Sequence, residues 1–128
     1  MKTIKQQYTI HAPVDKVWKA LVDPKVINKW GGGPAKMNDK EGAIFSLWGG
    51  DIHGKNVKVT PGKNLIQEWF GGAWDEASVL TLTFSQKGES TTVDLLHEKV
   101  PDNEAKDIAD GWEDYYMGPL KKFVENNS

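Results

Sequence analysis

The segment Pro101–Val124, PDNEAKDIADGWEDYYMGPLKKFV, decides the fold. Ile108, Trp112, Tyr115, Tyr116, Leu120 and Phe123 recur at spacings of three and four, which puts them on one face of a single long helix. Two tyrosines, a tryptophan and a phenylalanine need a broad apolar surface to cover them. Of the elements upstream, only a sheet is large enough to supply it. Two residues in this helix need a reason. Gly111 costs about 1 kcal/mol against alanine in a helix interior, which predicts a close approach to a neighbouring strand or bulky side chain. Pro119 lacks an amide donor and crowds the preceding turn at a cost of about 3 kcal/mol, so with Gly118 beside it a kink is expected after Tyr116.

Working back from the helix, the rest of the chain reads as strands and turns. Thr3–Ile10 alternates, with Ile4, Tyr8 and Ile10 on one face, as a half-buried strand does. Pro13 suits a helix start and is followed by Val14, Val17, Trp18 and Leu21 at helical spacing. Asp23-Pro24 starts a second short helix carrying Val26, Ile27 and Trp30, and Gly31-Gly32-Gly33-Pro34 stops it. From Ala35 onward, turn signals recur about every ten residues, at 39–42, 49–50, 61–64, 71–75 and 87–89. About six extended runs lie between them, clearest at Val79–Phe84 and Thr92–Lys99. The expected architecture is α+β: one strand, two short helices, an antiparallel meander and a long helix. That makes a curved sheet of about six or seven strands wrapped around the C-terminal helix.

Composition bounds the function. The 128 residues, 38% of them hydrophobic, suit one domain over 1–128, burying roughly 65–70% of its unfolded surface. The absence of cysteine excludes thiol nucleophiles and metal-thiolate sites. A net charge of −2 supplies no electrostatic footprint for nucleic acid or an anionic membrane. No run approaches the ~18 apolar residues of a membrane span, and the first ten residues lack a signal-peptide stretch. A cytoplasmic protein is expected. Asn126-Asn127-Ser128 matches a glycosylation sequon by accident of composition.

This order of elements, with particular residues, resembles a known superfamily. The residues are Ala12-Pro13 with Val17-Trp18-Lys19-Ala20-Leu21 and Trp30; Gly54; Val59-Thr60-Pro61 with Leu65 and Trp69; Leu80–Phe84; His97; and Gly111-Trp112 with Tyr115-Tyr116 and Leu120-Lys121. Together they resemble the helix-grip fold of the START and birch-pollen-allergen superfamily (SRPBCC). Within it, they resemble the Activator of heat-shock protein 90 ATPase homologue family, from about Thr3 to Val124. Pro119 departs from the usual family pattern. The resemblance implies a cavity between sheet and helix that can hold a small apolar ligand or lipid. It also implies two alternatives: a protein-interaction module acting as a chaperone cofactor in stress response, and a cyclase-like enzyme. In the eukaryotic co-chaperone such a domain follows a separate N-terminal domain, whereas this chain begins at the first strand. Fold analogy does not choose among these roles.

Phe45, Leu47, Trp69, Leu82, Leu95, Trp112 and Tyr116 are the expected cavity lining, or else ordinary core. An empty pocket of about 300 Å³ would cost about 7 kcal/mol, comparable to a domain's whole stability. With six tryptophans available to fill the space, a narrowed cavity is expected. Alternation puts Val93, Leu95 and His97 on one strand face. There His97 is either a ligand-orienting or acid–base group, or a structural histidine satisfied by a tyrosine hydroxyl or a carbonyl. Asp51 and His53, at alternate positions, have the spacing of two metal ligands but lack a third, so no metal and no cofactor is expected. His11, before the helix start, is expected to be structural. No serine sits in a nucleophile elbow, and residues 31–34 lack the ending of a phosphate loop, so no catalytic residue is assigned. In Trp69-Phe70-Gly71-Gly72-Ala73-Trp74, Phe70 and Trp74 would form an exposed patch for a protein partner, such as a chaperone of the heat-shock protein 90 type, if they project from the hairpin.

Overall fold

A computed structural model of the chain describes residues 1–72 and 74–126; Asn127 and Ser128 of the sequon lie outside the described residues. Strand β1 (Lys2–Ile10) leads into helices α1 (Val14–Val22) and α2 (Pro24–Trp30). Strands β2 (Ile44–Leu47), β3 (Ile52–Thr60), β4 (Asn64–Gly71), β5 (Ser78–Lys87) and β6 (Ser90–Val100) follow. The C-terminal helical run has three parts: α3 (Ala105–Gly111), a π segment (Trp112–Met117) and α4 (Gly118–Asn126). All strand pairs are antiparallel, in the order β1-β6-β5-β4-β3-β2, and the curved sheet grips the terminal helix.

The fold follows from local chemistry. In β5 and β6, alternation turns Leu80, Leu82, Phe84, Val93 and Leu95 inward, where Phe45 and Leu47 of β2 and Leu65 of β4 join them. Trp112, Tyr116, Met117, Leu120 and Val124 of the terminal helix complete the core. Asp23 accepts from the Lys25 amide and Pro24 sits at the first position of α2, while Gly31, at φ 111°, ends it in the left-handed conformation. The Trp30 indole donates to the Ala20 carbonyl at 2.8 Å and locks α2 onto α1.

Two expectations change. Five strands follow the helices among the described residues, because residues 35–43 form only an isolated bridge, Lys36 to Ser46, and turns. Buried Asn56 pins those turns by donating to the carbonyls of Asn38 and Lys40 at 2.9 and 3.2 Å, while its Oδ1 accepts from Gln67 at 2.9 Å. The terminal helix is not one continuous α-helix. The Gly118 amide bonds the Glu113 carbonyl, five residues back, and Pro119 follows with no amide to give. The wider turn takes up the proline and rotates the faces. Tyr115, expected inside, is 70% exposed, and Met117 is fully buried.

Gly111 also has a different reason from the one expected. A Cβ there would meet nothing within 4 Å, so no strand or side chain presses on it. Close approaches to backbone carbonyls occur instead at Gly54, where a Cβ would lie 1.8 Å from the Glu68 oxygen, and at Gly118, 2.1 Å from that of Glu113.

Candidate functional site

Gly111 borders a cleft of about 350 Å³ that opens to solvent between the end of the sheet and the terminal helix. One wall is Trp48, Asp51 and Ile52, from the 3₁₀ turn after β2 and the start of β3; Trp69 of β4 adjoins it. The other wall is Asp107, Ile108 and Gly111 of α3 with Trp112, Tyr115 and Tyr116 of the π segment. An enclosed empty void of this volume would cost about 8 kcal/mol, so a chain that keeps this space keeps it open.

The turn that carries Trp48 is held in an uncommon shape. Trp48 has φ 49°, in the left-handed region that bulky residues avoid. Its amide donates to Gly32 at 2.8 Å, the Gly49 amide to Pro34 at 3.0 Å, and the Asp51 carbonyl accepts from Gly72 at 2.7 Å. These bonds tie the turn to the α2 exit and to the end of β4, and they aim the indole at the helix. Trp48 meets Trp30 edge-on at 6.2 Å and Tyr116 at 5.8 Å. Tyr116 lies 4.5 Å from Trp112, and Trp112 lies 5.7 Å from Trp69. The result is a continuous aromatic wall. Burial raises the Tyr116 phenol above its ordinary range, so it stays protonated.

Behind the wall, His97 has a determinate set of partners. The Trp112 indole N–H donates to His97 Nδ1 at 3.0 Å. The Ser78 hydroxyl donates to the Trp69 carbonyl at 2.6 Å, so at its 2.7 Å contact with His97 it accepts from Nε2–H. Both ring nitrogens are used, and the imidazole is neutral with its proton on Nε2. Burial pushes its pKa down to about 4. The partners are an indole and a serine, where a tyrosine or a carbonyl was expected. In this arrangement no lone pair is left to accept a proton from a ligand. Trp69, edge-on to His97 at 4.6 Å, has a buried indole N–H that meets no acceptor among the described residues.

Of the expected cavity residues, Trp69, Trp112 and Tyr116 border the cleft. Phe45, Leu47, Leu82, Leu95 and His97 are buried in the core and do not line it, though His97 backs the wall through Trp69 and Trp112. Trp48, Asp51, Ile52, Asp107, Ile108, Gly111 and Tyr115 were not anticipated as lining. The available signals were a tryptophan set against Gly49-Gly50 and a glycine inside a helix. Asp51 is not on a strand with His53: it ends the 3₁₀ turn, while His53, on β3, stacks on Phe70 at 5.0 Å. No group of three metal-ligating side chains occurs among the described residues. His11 bonds Ser90 at 3.1 Å and its amide donates to Glu125, tying the entry of α1 to the start of β6 and to α4.

The expected exposed pair splits. Phe70 lies half-buried beside His53, whereas Trp74 folds back onto Trp69 at 5.7 Å and its indole N–H donates to Glu104. The indole's need for an acceptor and for apolar cover turns Trp74 inward. No helix among the described residues is long and apolar enough to cross a membrane.

The chain is 32% identical over 88 residues to the Activator of 90 kDa heat shock protein ATPase homolog of Dictyostelium discoideum, covering 66% of this chain and 23% of that one. It spans about a quarter to a third of the length of the curated relatives it matches. An HSP90 activator from Plasmodium falciparum has the same fold, with a TM-score of 0.90 at 20% identity, covering 97% of this chain and 96% of that one. CalU16 of Micromonospora echinospora superposes with a TM-score of 0.79 at 29% identity, covering 98% of this chain and 74% of that one. The model of the Activator of Hsp90 ATPase homolog 1-like family matches residues 11–125. With nearly its whole length matched and the helix-grip fold in place, the chain belongs to the Activator of Hsp90 ATPase homolog 1-like family.

Proposed function

We propose that the protein is a non-enzymatic binder of a small, largely apolar ligand, taken up in the cleft between the sheet end and the terminal helix. The observation that carries this reading is the cleft of about 350 Å³ walled by five aromatic side chains. That volume is in the range of small-molecule sites. The strained Trp48 and the π segment both border it, and such local departures cluster at functional sites. The engagement of both His97 nitrogens supports binding over cyclase-like catalysis.

An amide correlation spectrum recorded while titrating naphthalene derivatives, alkyl alcohols and short-chain lipids tests it. Saturable shifts at Trp48, Trp69 and Trp112 are expected, and Gly111→Leu, which fills the cleft, abolishes them. Failure of the whole panel to shift those indoles overturns the reading.

A second reading, partnership with a heat-shock protein 90 type chaperone, rests on family membership and on relatives named for activating that ATPase. The stacked Phe70 and His53, on the sheet face opposite the cleft, are the proposed contact. Phe70→Ala would weaken retention on an immobilised chaperone without changing ligand binding; unchanged retention removes Phe70 from the interface.

A further inference from the structure

Resting on the ligand-binding reading, we infer that the cleft selects an organic cation of the quaternary ammonium class. Its walls present the rings of Trp48, Trp69, Trp112, Tyr115 and Tyr116, and Asp51 and Asp107 stand on opposite sides. Among the described residues, no lysine, arginine or histidine borders it. Neither aspartate forms a salt bridge among the described residues; Lys106, beside Asp107, pairs with Asp110 at 2.9 Å.

An electron-rich ring face attracts a positive charge, most strongly where water is displaced, and tryptophan does so best. The two carboxylates add a long-range pull that an uncharged guest does not feel. The substitution on nitrogen follows from hydrogen bonding. A primary ammonium brings three N–H donors; the Asp51 and Asp107 carboxylates stand at exposed positions on opposite sides, so a head seated among the rings would leave donors facing ring faces, which accept only weakly. A fully alkylated nitrogen has no donors and spreads its charge over methyl groups that pack on rings. An anion would meet two carboxylates and no cation. The same head occurs on free alkylammonium compounds and on choline phospholipids.

The test compares choline with its neutral isostere 3,3-dimethylbutan-1-ol, and benzyltrimethylammonium with neutral neopentylbenzene, following indole amide shifts and tryptophan fluorescence. Each cation is expected to bind at least about tenfold tighter than its neutral counterpart. Asp51→Asn with Asp107→Asn, both at exposed positions, is expected to weaken the cations several-fold and leave the neutral counterparts unchanged. Equal binding of cation and neutral counterpart overturns the cation inference while leaving the apolar-ligand reading intact. Failure of every probe, including the apolar panel, overturns both. Co-sedimentation with phosphatidylcholine vesicles, competed by benzyltrimethylammonium, assigns the head to lipid; soluble binding without co-sedimentation assigns it to a free ammonium compound.

Discussion

The Trp112 indole N–H donates to Nδ1 of His97 at 3.0 Å, joining the terminal helix to the sheet at the back of the cleft wall. Because Nδ1 accepts there and Nε2–H donates to Ser78, a second proton on the ring would point at an indole hydrogen. The neutral ring is therefore part of the fold.

Acid should destabilise the protein through this residue. The imidazole titrates near 6.5 when unfolded and about 4 when folded. Above pH 6.5 both states are neutral and the residue adds no pH dependence. Between 6.5 and 4 the unfolded chain binds a proton that the folded chain refuses. Stability then falls by up to about 1.4 kcal/mol per pH unit and by about 3 kcal/mol in all. A long-range nitrogen spectrum of the ring should keep its Nε2–H signature at pH 5. A midpoint near 6.5 contradicts the arrangement.

Ser78→Ala should cost about 1–3 kcal/mol in urea unfolding, because it leaves the His97 Nε2–H without an acceptor and the Trp69 carbonyl without its donor. Trp112→Phe should cost a similar amount on the other side of the ring. The two losses should not add, since both variants break one chain of bonds, and a double-mutant cycle measures the coupling. Strict additivity would show that His97 is held by something else.

Much of this was legible because strand alternation has a fixed period. Val93, Leu95 and His97 face inward as the alternation requires, and the Gly and Asn turns fall where the turn signals stand. The resemblance named the grip, and the family model and the fold agree with it. The cleft was less legible. Trp69 reaches it from a strand, and Trp112 and Tyr116 from the helical face that the periodicity picks out, but Trp48 and Asp51 reach it from a turn. Gly49-Gly50 announces that turn without saying where its side chains point. The exchange of Tyr115 for Met117 depends on a bond five residues long, and no periodicity count contains that choice.

Asn56→Ala should loosen the 38–43 turns without touching the cleft. The amide has two carbonyl acceptors and one donor, all long-range, and Gln67 would be left with an unpaired buried N–H. A loss of about 2–4 kcal/mol is expected. Hydrogen exchange should quicken at Gly42, whose amide donates to the Asn56 carbonyl, before it quickens in β5 and β6. Uniform quickening across the sheet would mean that Asn56 serves the whole fold.

Two glycines seven residues apart in the terminal helix should respond oppositely to alanine. At Gly111 the backbone is ordinary helix, φ −64° and ψ −35°, and an added Cβ meets nothing within 4 Å. Gly111→Ala should therefore raise stability by about 0.5–1 kcal/mol through helix propensity and a less flexible unfolded chain. At Gly118 the backbone is also helical, φ −60° and ψ −57°, but the Cβ would lie 2.1 Å from the Glu113 carbonyl oxygen, the acceptor of the bond that makes the π turn. Gly118→Ala must open that turn and should cost at least ~2 kcal/mol. Since Tyr116 and Trp112 owe their positions to the same turn, its indole and phenol signals at the cleft should move as well. Thermal unfolding of the two variants, read beside their amide spectra, separates these outcomes. A gain at both positions would mean that the helix runs straight through as an α-helix. A loss at Gly111 would mean that its missing side chain keeps the cleft open at the expense of something packed beneath it.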